Sequence, residues 1–225
     1  MSSIKVYYRI SDAGNPKKIK LDFATKLNCF QNALASFPNS NFIVFADNCT
    51  PELLSSLKQF NFEVIELSLG NSKSFMYAVD YAIKNENEDE IVYFLEDDYL
   101  HIGQNETYLT EALTKADYTT LYDHPDYYNH PVHEGLREVF LTNSSHWQIV
   151  KSTTMTFAVK VKTLKNDYFI WQLACSRPCP KDFLAFKFLR LFNVLRFRKN
   201  RKLATPIPGR STHAEVDFIA PFFKL

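Results

Sequence analysis

IVYFLEDD, residues 91–98, joins one of the most apolar runs in the chain to three consecutive carboxylates. Its first five residues have the composition of a strand that is buried on both faces of a sheet. Its last three residues are Glu96, Asp97 and Asp98. Because neighbouring anions repel one another, holding all three ionised at a sheet edge is costly unless a cation or hydrogen bonds compensate. The stretch therefore predicts a buried strand that ends at a charged site.

Three earlier runs have the same strand composition, and helix-like patterns separate them. Strands are predicted at 4–10, 41–47, 62–68 and 90–96. Apolar residues at three- and four-residue spacing predict a helix over 23–37, and Thr50 and Pro51 are typical of the start of a second helix. A third helix is expected from Ser74. Alternating strands and helices predict a parallel, doubly wound sheet.

The second half has a different pattern, with a mixture of short strands and helices. A helix is predicted near 106–115, strands at 118–122, 138–141, 147–150 and 155–161, and a basic, aromatic-rich helix at 182–197. The last twenty residues, rich in proline, are expected to form an extended tail. The predicted fold is a single α/β domain over 1–225, with a mixed, mostly parallel central sheet flanked by helices and a small antiparallel portion.

Composition limits the classes of function. The chain has 225 residues, of which 46% are hydrophobic, and a formal charge of +1, so no global field indicates a nucleic acid partner. The four cysteines lack zinc-site spacing and are expected to be reduced. Since no signal peptide and no run of eighteen apolar residues is evident, we expect a soluble, cytoplasmic protein.

The carboxylates after the fourth strand are the main candidate site. In open parallel sheets, ligands bind outside the carboxyl ends of the strands. Mg²⁺ or Mn²⁺ would compensate the charge, because these ions prefer oxygen ligands and keep positions open for phosphate oxygens. The plainer interpretation is that one acid caps a following helix while the others are solvated.

A Rossmann-like first half, an acidic cluster after the fourth strand and a mixed second half together resemble the GT-A class of nucleotide-sugar glycosyltransferases, especially the family 2-like inverting enzymes. The resemblance spans nearly the whole chain. It implies that Glu96-Asp97-Asp98 is the DXD motif of that class, with Glu in the first place. It also implies that residues 1–100 bind a UDP, GDP or dTDP sugar, that residues 101–225 bind a glycan or other hydroxyl-bearing acceptor, and that Mn²⁺ or Mg²⁺ is the cofactor.

The resemblance implies a role for individual residues on the donor side. Asp98 and His213 would be metal ligands, and the nucleotide sugar would contact Ser11, Asp12, Asp47, Lys73, Glu96, Asp97 and Arg210. Within that set, Asp47 would accept a base N–H and Arg210 would pair with the diphosphate. The alternatives stay open: the aspartates also suit strand-end turns, Lys73 also suits a solvated position, and an isolated histidine is more often structural.

On the acceptor side, the resemblance implies that Asp182 is the catalytic base and that Ser152, Thr153 and Thr154 contact the sugar or the acceptor. The base would remove the proton of the acceptor hydroxyl as that oxygen attacks the anomeric carbon. Asp182 stands at the head of a predicted helix, so it also suits an N-terminal cap, and both roles are compatible. The hydroxyl residues also suit a strand.

Two further segments have more than one interpretation. Residues 120–134 contain Asp123, His124, Asp126, His130 and His133, but two prolines break helical zinc-site geometry, so we interpret this segment as an acceptor-side loop with aromatic residues for stacking on a sugar. The basic stretch 187–202 is interpreted as a core helix with a solvated end. Peripheral contact with an anionic membrane is the alternative.

The predicted function is metal-dependent transfer of a sugar from a nucleoside-diphosphate donor to a hydroxyl, with inversion, in glycan or polysaccharide biosynthesis. One rival is a nucleotidylyltransferase of similar fold. Such enzymes usually have a Gly-rich phosphate loop after the first strand, which residues 10–18 lack. A second rival is a non-catalytic module that binds sugars or nucleotides.

Overall fold

The computed structural model describes residues 4–13, 19–195, 200–221 and 223. In chain order the elements are β1 (Ile4–Ile10), α1 (Lys26–Ser36), β2 (Asn41–Asp47), α2 (Pro51–Lys58), β3 (Glu63–Leu67), α3 (Asn71–Asn85), β4 (Ile91–Glu96), β5 (Tyr99–His101), α4 (Glu106–Ala112), β6 (Tyr118–Thr119), α5 (Asp126–Asn129), β7 (Val139–Leu141), β8 (His146–Val150), β9 (Phe157–Lys160), α6 (Val161–Asn166), α7 (Tyr168–Ala174), α8 (Asp182–Leu195), β10 (Leu203–Ile207) and β11 (Ser211–His213). Short 3₁₀ helices lie between α5 and β7, at Pro131–His133, and after β11, at Val216–Phe218.

The central sheet has nine strands in the order β3-β2-β1-β4-β9-β6-β10-β8-β7. The first four are parallel, and each lies within one residue of its predicted bounds. Beyond β4 the neighbouring strands are antiparallel, except that β6 and β10 are parallel. The predicted α/β class, with a mostly parallel first half and an antiparallel portion, is confirmed.

The prediction of an extended tail at the C-terminus is wrong. Residues Leu203–Ile207 form β10 inside the sheet, and Ser211–His213 form β11, which pairs with β5 in a separate two-stranded sheet. Pro206 is tolerated in β10 because β6 pairs only with Leu203 and Ala204, so Pro206 has a strand neighbour only in β8. The return of the chain through β11 brings the residues after it to the end of β4.

Four further elements differ from the sequence prediction. The helices α6 and α7 were not predicted, and they join at Asp167, whose backbone N–H bonds to the end of α6 while its carbonyl accepts from Ile170. The third helix begins at Asn71 rather than Ser74. The predicted five-residue strand at 118–122 shrinks to the two residues of β6.

Aromatic side chains fill the core on both faces of the sheet. Tyr8 of β1 packs against Phe30 of α1, with ring centroids 4.9 Å apart. On the other face Phe157 of β9 stacks on Trp171 of α7 at 4.9 Å. Because each buried aromatic ring removes a large apolar area from water, these contacts fix the helices to the sheet.

A buried ion pair connects the second-half helices to the sheet. Asp167 is 2% exposed and accepts hydrogen bonds from Tyr118 Oη at 2.9 Å and from Arg201 Nε at 2.9 Å. Arg201 also pairs with Asp117 at 2.9 Å. The network ties the α6–α7 junction to β6 and to the segment that enters β10.

We expect Asp167→Asn to lower the free energy of unfolding by about 3 kcal/mol, since it removes one partner of a buried pair while Arg201 keeps Asp117. Urea denaturation measures the change. The control is Glu88→Gln, because the Glu88–Lys165 pair is exposed and exposed pairs contribute little. Equal midpoints for the two variants would contradict the structural role of Asp167.

Within the described ranges, no helix has both the length and the apolar composition to cross a bilayer. The basic stretch 187–202, for which membrane contact was the alternative interpretation, is described only in part. Helix α8 ends at Leu195, and residues 196–199 lie outside the described residues, as do the last two residues of the predicted helix 182–197.

Candidate functional site

Three segments distant in sequence meet at the carboxyl end of β4. The backbone N–H of Ala214, after β11, donates to the Asp98 carbonyl at 2.7 Å, and the Leu21 N–H donates to the Ala214 carbonyl at 3.0 Å. Lys20 and Glu215 form an antiparallel bridge. The side chains of residues 20, 98, 213 and 215 are therefore gathered at one place by backbone pairing.

Asp98, His213 and Glu215 form a set of potential metal ligands, which we call the ligand set. Their ligand atoms all lie within 4.8 Å of one another. His213 Nε2 is 3.6 Å from Asp98 Oδ2 and 3.7 Å from Glu215 Oε1. Two of the three were predicted as metal ligands from the sequence, and the structure brings them together. Glu215 was missed, although it follows His213 by two residues, the spacing that places extended residues on one side.

Each carboxylate after β4 has a cation of the same chain beside it. Lys26 Nζ lies 2.5 Å from Asp97 Oδ2, and Lys20 Nζ lies 3.0 Å from Asp98 Oδ2. Burial opposes the charge on Lys20, but the charge and hydrogen bond of Asp98, together with the charges of Asp97 and Glu215, outweigh burial and raise the pKa of the ammonium. The repulsion that led us to predict a divalent cation is thus already offset in part by the protein's own cations.

The third cation is Arg9, whose guanidinium lies 3.7 Å from Glu96 Oε1. Arg9 is 9% exposed, donates to the Asn71 carbonyl at 3.1 Å and lies 5.4 Å from the centre of the Phe75 ring. The sequence signal was present but not used: Arg9 is a cation between apolar residues near the end of a strand whose other cation, Lys5, lies at its start. Lys20 and Lys26 were also missed, and they stand in a lysine-rich segment with no signal that separates them from their neighbours.

The environment of Glu96 disfavours the charged form of its carboxylate. Burial raises its pKa to about 7; Arg9 acts in the opposite direction, and Asp98, Asp97 and Asp182 add to the rise. The effect of Asp182 shows that the head of α8 lies within electrostatic reach of the acidic cluster. The start of α8 therefore lies near the end of β4.

Three residues predicted to contact the nucleotide lie at strand ends on this edge of the sheet, and a fourth lies in the helix that follows β3. The Ser11 N–H donates to Asp97 Oδ2 at 2.8 Å, and Asp12 Oδ2 accepts from the Thr50 N–H at 2.8 Å. Asp47 is buried and accepts from the N–H groups of Leu69 and Gly70 at 2.6 and 3.0 Å. Lys73 is exposed in the first turn of α3. Ser11, Asp12 and Asp47 form the hydrogen bonds given above within the chain. The contacts of all four residues with a nucleotide stay predictions.

Arg210 lies at the opposite end of β11 from His213. Its guanidinium donates to the Ile102 carbonyl at 2.7 Å and to Asn105 Oδ1 at 3.1 Å, and it lies 4.3 Å from the centre of the Tyr108 ring. These contacts fasten the loop before α4. The predicted contact of Arg210 with a diphosphate stays a prediction, and the guanidinium would have to leave these partners to make it.

A cavity of about 370 Å³ gathers the residues predicted for the acceptor side. Its lining includes Ser152, Thr153, Thr154 and Asp182. Thr154 Oγ1 is hydrogen bonded to Tyr99 Oη at 2.8 Å, and the Tyr99 ring lies 4.9 Å from the His213 ring. The buried side chain of Tyr99 therefore contacts the cavity through Thr154 and the ligand set through His213.

Asp182 opens α8 at the wall of this cavity. Its Oδ1 accepts from the Phe183 N–H at 2.6 Å, so Asp182 satisfies a free N–H of the first turn as the first helical residue, one position after the cap. Burial raises the pKa of Asp182, while the backbone hydrogen bonds act in the opposite direction. A carboxylate with a raised pKa is a stronger base, which leaves the catalytic interpretation compatible with the structure.

The histidine-rich loop 124–133 forms another wall of the cavity. His124 Nδ1 accepts from the Asp126 N–H at 3.0 Å, and His130 Nδ1 accepts from the Val132 N–H at 3.2 Å. These bonds shape the turns of the loop. Tyr127 is a buried residue of this loop. Its hydroxyl donates to the Ser152 carbonyl at 2.7 Å, which joins the loop to the segment that carries Ser152, Thr153 and Thr154.

The sheet order, with the site at the carboxyl end of β4, defines a GT-A-like fold, as the resemblance implied. No family model and no curated protein matches the chain. Among solved structures, GalNAc-T7 with UDP, GalNAc and Mn²⁺ is similar with a TM-score of 0.61 and 11% identity, over 94% of this chain and 44% of that one. The chain thus spans less than half the length of GalNAc-T7.

Nucleotide-transferring enzymes share the fold as well. A nucleotidyl transferase from Methanothermobacter thermautotroptrophicus is similar with a TM-score of 0.51 and 11% identity, over 91% of this chain and 86% of that one. The 4-diphosphocytidyl-2C-methyl-D-erythritol synthase of Anaerococcus prevotii gives 0.50 and 10%, over 91% and 87%. The fold alone therefore does not separate sugar transfer from nucleotide transfer.

Glu215→Gln is expected to weaken Mn²⁺ binding about tenfold or more, because it removes one anionic donor of the ligand set. Isothermal titration with Mn²⁺ measures the affinity. The matched control is Asp217→Asn, an exposed carboxylate two residues further on, which should bind Mn²⁺ as the unmodified protein does. An unchanged affinity in Glu215→Gln would exclude the ligand set as the metal site.

Lys20→Gln is expected to tighten Mn²⁺ binding about fivefold, because the ammonium competes with the metal for Asp98 Oδ2 in a partly exposed pair worth about 1 kcal/mol. The same titration measures it. Lys26→Gln is the control, since Lys26 pairs with Asp97 outside the ligand set. If Lys20→Gln binds Mn²⁺ more weakly than the unmodified protein, the two cations do not compete.

Proposed function

We propose that the protein is a metal-dependent glycosyltransferase that moves a sugar from a nucleoside-diphosphate donor to a hydroxyl acceptor, with inversion, in glycan or polysaccharide biosynthesis. One observation carries the proposal. A ligand set suited to a divalent cation and a hydroxyl-lined cavity containing Asp182 lie on two sides of Tyr99. A donor held by the first would have its anomeric carbon directed toward an acceptor in the second.

The ligand set fits Mn²⁺. Two carboxylates and one imidazole are oxygen and nitrogen donors, and Mn²⁺ accepts both kinds, whereas Mg²⁺ prefers oxygen alone. Asp98, His213 and Glu215 would hold the ion. When bound, it would neutralise the diphosphate and stabilise it as a leaving group.

His213 has to change its proton position when a metal binds. Its Nδ1 accepts from the Glu215 N–H at 3.0 Å, so the proton of the neutral ring lies on Nε2, which faces the two carboxylates. With Nε2 as a metal ligand, the neutral ring would carry its proton on Nδ1, and Nδ1 would then no longer accept from the Glu215 N–H.

The chain's own cations would take over part of the diphosphate charge. Lys20 is 31% exposed at its side chain, so its ammonium can turn from Asp98 to a phosphate oxygen. Lys26 and the Ser11 N–H hold the Asp97 carboxylate in position, where it would accept a hydrogen bond from a hydroxyl of the donor. Asp47 retains lone pairs beyond its two backbone bonds and would accept a base N–H.

Asp182 would act as the base. A hydroxyl positioned by Ser152, Thr153 and Thr154 would give its proton to the Asp182 carboxylate as the oxygen attacks the anomeric carbon. The Phe183 N–H donates to one carboxylate oxygen of Asp182. This bond fixes the orientation of the carboxylate and therefore the direction of its other oxygen. Inversion follows from attack on the face opposite the diphosphate.

Asp182→Asn is expected to lower the transfer rate at least 100-fold while donor affinity stays within twofold, since proton removal typically contributes that much and Asn cannot accept the proton. Release of the nucleotide from a panel of sugar donors with Mn²⁺ and acceptor measures transfer. Asp126→Asn is the control, because Asp126 is a second carboxylate of the same cavity. Loss of transfer in the control instead would assign the base to Asp126.

The pH profile should reflect the same group. Burial raises the pKa of Asp182, and a base must be deprotonated, so kcat/KM is expected to fall with decreasing pH at a value above the usual aspartate range of about 4. Glu96→Gln should keep this acid limb, which shows that Glu96 does not cause it. An acid limb that persists in the residual activity of Asp182→Asn would contradict the assignment.

A nucleotidylyltransferase is the second candidate, and one observation favours it. The chain spans 86% and 87% of the two nucleotide-transferring structures, against 44% of GalNAc-T7. The sequence argument against it concerned the loop after β1, of which residues 14–18 lie outside the described residues. Pyrophosphate release from a nucleoside triphosphate would identify this reaction. Donor binding without any product would identify the non-catalytic module.

A further inference from the structure

A second cavity, of about 290 Å³, adjoins the acceptor cavity. The two share Tyr127, His130 and His133 in their linings, so they continue one another along the loop 124–133. Tyr128 and Arg137 line only the second cavity. The proposed chemistry uses none of this second space.

The wall of the second cavity is held by a buried hydrogen-bond network. Tyr128 Oη donates to Asp123 Oδ2 at 2.9 Å and accepts from Gln148 Nε2 at 3.1 Å. Gln148 Oε1 accepts from Arg137 NH1 at 2.7 Å. Asp123 and Gln148 are 2% and 3% exposed. Tyr128 and Arg137, at the surface of the cavity, are therefore held in position by the buried side chains of Asp123 and Gln148.

The fixed side chains are an aromatic ring and a planar cation. Tyr128 is 51% exposed although its hydroxyl is buried in the network, and the Arg137 guanidinium lies 5.3 Å from the centre of its ring. A half-exposed ring in a fixed position offers a flat apolar surface with polar groups at its edge. The apolar face and the ring hydroxyls of a pyranose match that combination, and a fixed wall loses little side-chain entropy on binding.

The other polar groups of this cavity suit hydroxyls rather than an anion. Burial, followed by Arg137, lowers the pKa of His133 to about 4, so its ring is neutral at physiological pH and both donates and accepts hydrogen bonds. Glu134 adds an acceptor, and Asn129 adds both donors and an acceptor. Arg137 already donates to Gln148, and Glu134 would repel an anionic ligand.

We propose that the second cavity binds the sugar that precedes the reacting residue of an oligosaccharide, so that the acceptor is at least a disaccharide. The inference rests on the proposed function, because it takes the first cavity as the acceptor site. The terminal sugar would lie beside Asp182, and the preceding sugar would pack on Tyr128.

The test is a binding measurement on an array of defined oligosaccharides of two to six residues, together with the monosaccharides that compose them. The unmodified protein should bind at least one oligosaccharide ten times more tightly than its terminal monosaccharide. Tyr128→Ala should remove that advantage, and Tyr128→Phe should keep most of it because the ring remains. Tyr77→Ala is the control, since Tyr77 is a partly exposed tyrosine of α3 outside both cavities.

Asn129→Trp provides a variant that does not depend on the buried network. Asn129 is exposed and lines the second cavity, so a large side chain there should fill the cavity and remove the advantage without loss of thermal stability. The inference is overturned if no oligosaccharide binds more tightly than its monosaccharide, or if Tyr128→Ala and Asn129→Trp both leave the ratio unchanged.

Donor turnover is measured separately, as Mn²⁺-dependent hydrolysis of UDP, GDP and dTDP sugars without acceptor. Donor hydrolysis without oligosaccharide preference would overturn the second subsite and leave the transferase proposal standing. Oligosaccharide preference without donor turnover would support the subsite and count against the transferase.

Discussion

The charge balance at the end of β4 is the constraint on which the site depends. Three adjacent carboxylates there are held beside Arg9, Lys26 and Lys20, which come from β1, from the first residue of α1 and from the segment that bridges to Glu215. Two of these cations are mostly buried or half-buried, so the pairs are stronger than pairs at a free surface. Arg9, Lys20 and Lys26 therefore supply positive charges that offset the negative charges of the acidic cluster.

This balance sets the conditions under which a divalent cation can bind. Lys20 Nζ lies 3.0 Å from Asp98 Oδ2, so the ligand set is not a region of unopposed negative charge, and a metal there would compete with the ammonium. A diphosphate changes this, because it brings negative charge to which Lys20 can turn while the metal takes Asp98. Metal and donor are therefore expected to bind cooperatively, each increasing the affinity for the other by the same factor. Cooperative filling follows here from competition among cations and requires no large movement of the chain.

The sequence predicted the parallel half of the sheet well, because strands buried on both faces carry continuous apolar runs that few other structures tolerate. It predicted the C-terminal segment poorly, because β10 and β11 depend on partners that lie far away in sequence and on the shortness of β6, which no local pattern reveals. The proximity of Asp98 and His213 was implied by the family resemblance and not by spacing. Glu215 could have been found from its alternation with His213, whereas Lys20 could not be found without the backbone bridge that places it.

Tyr99 is the residue through which the two parts of the site are connected. It is 1% exposed, its ring packs against the rings of His213 and Tyr122, and its hydroxyl is hydrogen bonded to Thr154 in the cavity that contains Asp182. A buried ring of this size cannot shift without displacing its neighbours, because core packing leaves little free volume. A change in the position of the His213 ring would therefore act directly on the ring that contacts Thr154. The ligand set and the cavity that contains Asp182 are thus joined by a single layer of side chains, through which the proposed metal and acceptor sites would affect each other.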